Sequence, residues 1–261
     1  MNINGVCISS TSDEHGPVYV YQTRTSRILS FNGEVQQSCM KLDDINGLAH
    51  GYTQAMMSGL LFIPDVGTAT IMGLGAGSMA KNLLNSFAHL EVHAVEHRPE
   101  VVNVATKYFH LPDDERLTIH IDDAVNYMKS GPTKSDIIFS DLYTMEGMES
   151  KQVHASYLYD CKQALNKHGV LVLNIWEQAL KVPELEIKAI STVFKNRLLR
   201  FDVESGNTII LAFRHDIPVI KRKALLARAK CLQDRMNIPL LRHTKLLWSR
   251  QQDIISAELM P

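Results

Sequence analysis

Short apolar runs alternate with amphipathic stretches from about residue 68 onward, and this alternation predicts the architecture. Thr68 to Met72, Val92 to Val95, Leu117 to Ile121, Ile137 to Phe139 and Val170 to Asn174 are strand-length apolar segments. Helical spacing fills the gaps: Met79 to Leu90, Pro99 to Phe109, Ala124 to Met128, and Glu149 or Ser150 to Leu165, ending near His168-Gly169. Pro99 suits a first helical turn, and Gly131-Pro132 closes the third helix. Strands apolar on both faces, each followed by a helix, indicate a mostly parallel sheet covered on both sides, a doubly wound α/β domain. A helix over Glu184 to Phe194 then precedes two late strands, Leu198 to Val203 and Asn207 to Phe213. Their link, Ser205-Gly206-Asn207, is too short for a crossover, so the pair is predicted antiparallel.

Two zones flank this domain. Residues 1–50 are predicted to form a small β-rich N-terminal domain, with strands at Val18 to Tyr21 and Arg27 to Phe31. Asn32-Gly33 is a turn signal, and Glu34 to Met40 could return as another strand. So small a sheet must dock on the main domain (residues 51–218) or on a partner. Residues 219–261 form a helical tail carrying nine Lys or Arg against three Asp or Glu. Leu225, Leu226, Ala229 and Leu232 fit one apolar stripe; Leu246, Leu247, Ile254 and Ile255 fit another. Such stripes predict packing on the sheet or on a second subunit.

Bulk properties narrow the function. The chain has 261 residues, 45% of them hydrophobic, and a formal net charge of -1. No global field favours nucleic acid, and no basic channel stands out, so a nucleic-acid partner is not expected. Neither a signal peptide nor a membrane span is expected. Cysteines at 7, 39, 161 and 231 form no CxxC pair and read as reduced thiols of a cytoplasmic protein, with Cys161 and Cys231 packing as small hydrophobes. The eleven histidines show no ligand spacing, so no metal site is expected.

The chemistry-bearing positions fall at strand ends. Gly73, Gly75 and Gly77 follow the first apolar strand and open a helix, where the backbone can approach a ligand closely. The GxGxG spacing favours a methyltransferase-like (Rossmann-type) domain over a dinucleotide-binding one, because its ligand carries no pyrophosphate. Glu96 ends the second strand about twenty residues later, where a carboxylate can accept both ribose hydroxyls. Asp122 and Asp123 follow the third strand. One, with Asp123 preferred, can accept an adenine amino group, and its neighbour can cap the next helix. Asp141 ends the fourth strand, where a carboxylate can orient an amine nucleophile and accept its proton, or simply bind the cofactor's amino group.

These pieces, taken in order, resemble the spermidine synthase family of aminopropyltransferases over roughly residues 17 to 215. The resemblance is carried by Ile28 to Gln36, Tyr52, Ile71 to Gly77, Val95 to Val102, Ile121 to Ala124, Asp136 to Asp141 and Leu165 to Asn174. It implies a small N-terminal β domain ahead of a methyltransferase-like domain, a homodimer, and aminopropyl transfer from decarboxylated S-adenosylmethionine to an amine, possible acceptors including a polyamine. By resemblance Gln36 holds the aminopropyl side, Glu96 the ribose, Asp123 the adenine, and Asp141 is the acid at the reacting centre. Tyr52, Gln54 and Tyr143 stand on the acceptor side. No metal is implied, because a sulfonium is already activated.

The sequence also departs from the family. The usual Tyr-His-Glu run reads Tyr52-Thr53-Gln54, Ser58 replaces a histidine, and the loop after Asp141 lacks the usual second aspartate, leaving Glu146 as the nearby acid. Tyr143, Met145 and Met148 give a less acidic acceptor wall. The cofactor half is better retained than the amine half. Methyl transfer from S-adenosylmethionine to another small acceptor, and a non-catalytic nucleoside-binding or interaction role, therefore stay open.

Overall fold

The computed structural model describes residues 3–144, 147–176, 184–204 and 206–256. A four-stranded antiparallel sheet comes first: β1 (Val6–Asp13), β2 (Gly16–Gln22), β3 (Ser26–Ser30) and β4 (Ser38–Lys41), in that spatial order. The composition hid β1, because Val6-Cys7-Ile8-Ser9-Ser10-Thr11-Ser12-Asp13 is polar and largely exposed. It is an edge strand held by its register with β2 rather than by burial. The return strand starts only at Ser38, because Asn32 Oδ1 accepts from the Glu34 and Val35 amides and prolongs the turn.

Next come α1 (Gly51–Met56), continued by a 3-10 segment over Met57–Phe62, then β5 (Thr68–Met72), α2 (Ser78–Ser86), β6 (Glu91–Glu96), α3 (Pro99–Phe109), β7 (Leu117–Ile121), α4 (Ala124–Lys129) and β8 (Ser135–Ser140). A two-stranded ribbon, β9 (Tyr143–Thr144) with β10 (Gly147–Met148), leads to α5 (Ala155–Ala164) and β11 (Leu165–Trp176). The chain closes with α6 (Glu184–Phe194), β12 (Leu198–Asp202), β13 (Asn207–Phe213), α7 (Arg222–Met236) and α8 (Leu240–Ile255).

The large sheet runs β12-β13-β11-β8-β5-β6-β7. Every neighbour pair from β11 to β7 is parallel, and β13 runs antiparallel to both β11 and β12, as its short link requires. This is the methyltransferase-like arrangement. The chain winds outward from β5 to β7, then restarts at β8 on the other side of β5. That reversal opens a crevice at the carboxyl ends of β5 and β8.

Three predicted boundaries move. The helix over Met79 to Leu90 stops at Ser86. The long helix predicted from residue 149 is a 3-10 turn over Ser150–Val153 and then α5, which ends at Ala164. His168-Gly169 lies inside β11, beside a register shift between Leu165 and Val170. Of the Ser205-Gly206-Asn207 turn, Ser205 lies outside the described residues.

The flanking zones share the main body's packing. Val18, Val20, Leu29, Phe31 and Met40 of the first sheet pack with Ala76, Val101, Val104 and Phe109. Leu225, Ala229, Leu232, Leu247 and Ile255 of the tail join the core that includes Leu60, Ile71 and Phe139. Ile254, predicted on the same stripe, is 44% exposed, and Cys231 is exposed rather than packed. The buried face of α7 runs through Leu225, Ala229, Leu232 and Met236, which turns Cys231 outward. Cys161 is fully buried as expected, and burial pushes its thiol up to about 12.

A charged contact fastens the first sheet. Arg98, just before α3, donates through Nε and Nη2 to both oxygens of Asp13, at 3.0 and 2.8 Å, and to the Gly16 carbonyl at 2.7 Å. Its guanidinium also lies 4.6 Å from the Phe31 ring centroid. Burial works against the Asp13 carboxylate, but the Arg98 bonds outweigh it and hold the pKa below the usual range. Stability from this pair is present above the ordinary Asp value and is lost as pH falls through the lowered one. Asp13→Asn should cost about 3 kcal/mol by stranding the guanidinium, read as a lower denaturant midpoint at pH 7 whose difference from wild type shrinks as pH falls below the ordinary Asp range.

Candidate active site

A cleft of about 680 Å³ opens where β5 and β8 part, within the range of sites that enclose small ligands. Its floor is the turn after β5. Gly73, Gly75 and Gly77 all have positive φ, at 90°, 53° and 73°. A Cβ on Gly73 would stand 2.4 Å from the Asp141 carbonyl oxygen, and one on Gly75 would stand 2.6 Å from Ser38 Oγ. Gly73 and Gly75 line the cleft, whereas Gly77 does not. A Cβ on Gly77 would strike Leu111 at 2.5 Å, so this glycine, predicted as a ligand contact, serves the packing of α2 against the chain after α3.

Glu96 reaches the cleft from the end of β6 and is buried. Its Oε1 accepts from the Arg98 amide at 3.0 Å and its Oε2 from the Gly75 amide at 3.3 Å. Burial nevertheless raises its pKa, against the Arg98, Gly75 and Leu74 amides and the Arg98 charge, which favour the carboxylate.

Asp122 and Asp123 line the same end. The helix cap is Asp123: its Oδ1 accepts from the Val125 and Asn126 amides, at 2.9 and 3.2 Å. Its Oδ2 lies 3.6 Å from Lys151 Nζ. Asp122 accepts from the Asp123 amide at 2.8 Å, so it steadies the turn rather than capping α4.

The opposite end is built around Asp141, one residue past β8. Asn174 Nδ2 donates to its Oδ1 at 2.8 Å, and the Tyr52 hydroxyl faces the carboxylate and lowers its pKa. Burial dominates and lifts the Asp141 pKa to about 6. Tyr143 donates to the Asn174 carbonyl at 3.3 Å, and burial raises its pKa too. Gln36 is exposed at the mouth, its Nε2 3.2 Å from His50 Nε2, and the His50 ring stacks on Tyr52 at 5.4 Å.

Gln54 is not brought to the cleft. It stands two residues from Tyr52 on α1, nearly the opposite face of a helix, and its amide donates to the Leu48 carbonyl at 2.7 Å. Thr53 does line the cleft. Ser58 is fully buried in the 3-10 segment, away from it. Met148 packs on the core cluster around Tyr157 rather than on the cleft. Met145 and Glu146 lie outside the described residues.

Asn174, Asn207 and His50 belong to the site yet carried no role in the sequence reading. Asn174 offered a signal: an amide ending an apolar strand beside the one that ends at Asp141. Asn207 offered little, since only the antiparallel register of β13 against β11 sets it across from Trp176. Among the described residues no cluster of metal-ligating side chains occurs, and no helix is long and apolar enough to cross a membrane.

Fold and site together define a methyltransferase-like α/β protein with a nucleoside-sized cleft and a half-buried carboxylate at its far end. The chain belongs to the spermine/spermidine synthase domain family, whose model it matches over residues 50–203. It is 30% identical over 214 residues to a polyamine aminopropyltransferase from Chromobacterium violaceum, covering 81% of this chain and 82% of that one. Spermidine synthase from Thermotoga maritima superposes with a TM-score of 0.64 at 15% identity, over 88% of this chain and 87% of that one. Human methyltransferase-like protein 13 in complex with SAH superposes with a TM-score of 0.65 at 23% identity, over 73% of this chain and 94% of that one.

Proposed function

We propose that this protein transfers an aminopropyl group from decarboxylated S-adenosylmethionine to a polyamine-type amine, with Asp141 at the reacting centre. The observation that carries the reading is the placement of Asp141, half-buried at the end of the strand beside the glycine turn and in one cleft with Glu96. The residues fit an S-adenosyl ligand: Gly73 and Gly75 leave only backbone at the floor, and buried Glu96 has acceptor capacity for ribose hydroxyls. Capping of α4 uses Asp123 Oδ1, so its Oδ2, which also faces Lys151, keeps acceptor capacity for an adenine amino group. When bound, the sulfonium supplies an activated carbon and a ready leaving group.

The chain's own task is positional and electrostatic. Tyr52 and Asn174 hold the Asp141 carboxylate from two sides, so it can orient an incoming amine and take its proton as the new C–N bond forms. Its raised pKa keeps the proton affinity useful near neutrality. The Asp141 contribution should be nearly full at about pH 7, half at about pH 6, and fall below that toward a tenfold loss per unit. A pH profile of kcat/KM for methylthioadenosine release, taken with an amine whose own titration is known, checks this. A flat acid limb down to pH 4.5 would remove Asp141 as the proton acceptor.

A second reading, methyl transfer, is favoured by the acceptor-side lining of Tyr52, Tyr143, Asn174, Trp176 and Asn207, where Asp141 is the one carboxylate among these described residues. Titration with S-adenosylmethionine and with its decarboxylated form, followed by product analysis, separates the two. Methylthioadenosine with an amine supports aminopropyl transfer; S-adenosylhomocysteine as product replaces it with methyl transfer. Pairing of two copies belongs to the same proposal and is checked by light scattering.

A further inference from the structure

Asp141 is held through a relay of amides that reaches it from the reversed strand of the sheet. Asn207 Nδ2 donates to Asn174 Oδ1 at 2.9 Å, and Asn174 Nδ2 donates to Asp141 Oδ1 at 2.8 Å. The direction is fixed by chemistry. An ionised carboxylate only accepts, so the Asn174 nitrogen must face Asp141 and its oxygen must face the Asn207 donor. Asn174 is 1% exposed and Asn207 5% exposed, so neither amide can trade its partner for bulk water. The Asn174 main chain is anchored too, because its carbonyl accepts from Gln152 Nε2 and from the Tyr143 hydroxyl, each at 3.3 Å. Gln152 in turn accepts from Ser140, the last residue of β8. The strand that ends at Asp141 and the strand that carries Asn174 are thus tied at the point where the carboxylate projects.

We propose that Asn174, aligned by Asn207, is the positioning residue of the reaction: it fixes the orientation of the Asp141 carboxylate and sustains its ionised form inside the cleft. This inference rests on the reading of Asp141 given above. A donor aimed at the charged form stabilises that form selectively, so the relay opposes the effect of burial. The other titratable groups around Asp141 are Tyr52 from α1 and Tyr143 from β9, with His50 stacked on Tyr52 and Glu96 across β5. Burial raises both tyrosines, so neither changes charge in the window where Asp141 titrates.

The test reads the carboxyl group itself in the ligand-free protein. In a ¹³C-labelled sample the Asp141 carboxyl signal is the one lost in Asp141→Asn, and its titration midpoint is followed by NMR. Asn174→Leu should move that midpoint upward by about one pH unit, and Asn174→Asp by more, since it sets a like charge beside Asp141. Asn207→Ala, which leaves the last bond of the relay in place, should move it the same way by less and serves if the Asn174 variants do not fold. In turnover, the Asn174→Leu rate relative to wild type should be about tenfold lower at pH 5, about twofold lower at pH 7, and recover toward wild type by pH 9. An unmoved midpoint, or a loss of rate equal at every pH, overturns the relay. If instead Asp141→Asn keeps full activity, the reading of Asp141 fails, and that outcome is distinct because the midpoint shift does not depend on it.

Discussion

Replacing Asp141 with asparagine is expected to lower turnover by roughly 10²–10⁴-fold, the range a positioned acid–base group supplies. Affinity for S-adenosyl ligands should stay within about threefold, because the substitution keeps the side chain's shape and touches only the acceptor end. The same variant should be more stable than wild type at pH 8. The Asp141 pKa is raised in the fold from 3.8 to about 6, so the native state binds the proton more tightly than the unfolded chain. Stability therefore falls as pH rises through that window, by roughly 3 kcal/mol in all at 1.36 kcal/mol per unit. Asparagine removes that cost, and the melting temperature should rise by several degrees at pH 8 and match wild type near pH 4. Loss of activity together with a gain in stability separates a functional carboxylate from a structural one. Unchanged turnover on a true substrate would exclude the catalytic role.

The second large effect is expected at the other end of the cleft. Glu96→Gln should weaken binding of decarboxylated S-adenosylmethionine by about 100-fold, since one charged hydrogen bond worth roughly 1.5–3 kcal/mol disappears and an N–H₂ group faces the ribose hydroxyls or the Gly75 amide. Turnover at saturating ligand should change little, so the loss falls on KM. Burial disfavours the Glu96 charge, so its removal offsets part of the stability lost when the Gly75 or Arg98 amide loses its acceptor. Calorimetry on the variant decides the point: an unchanged Kd would mean that Glu96 only braces the glycine turn through Arg98 and Gly75. Asp141→Asn and Glu96→Gln thus make opposite demands, one on kcat and the other on KM, from two carboxylates in a single cleft.

The legibility of this chain follows what each element needs from its own residues. The parallel strands were readable because burial on both faces leaves an unbroken apolar run, as at Val170 to Leu173. Helix α3 matches its predicted span: Pro99 opens it, and His110, in the left-handed conformation, follows its last residue. Strand β1 was not, since Ser9, Ser10 and Thr11 carry no burial signal and the strand exists through its pairing with β2. The site divides the same way. Carboxylates at strand ends could be found by position, because a parallel sheet delivers those ends to one edge. Gln54 and Gly77 were adjacent in sequence to true lining residues and were turned away by local geometry, a helical face in one case and a packing contact in the other. The Asn207–Asn174 contact joins residues 33 apart through an antiparallel register that no local pattern encodes.

The close approach of Gly73 to the main chain of Asp141 has a consequence for how such a site can change over time. The glycine turn and the Asp141 carboxylate sit on neighbouring strands, and the Asp141 amide is itself bonded to the Met72 carbonyl at 3.0 Å. On the proposed reading, the reach from leaving group to proton acceptor is set by the spacing of paired strands, ~4.8 Å, rather than by any loop. Loops around it can be rewritten to admit a new amine without disturbing that distance. An acceptor change would accumulate in the segment carrying Gln36 and Tyr52 and in the β9–β10 ribbon, with β5 and β8 acting as a fixed ruler between them.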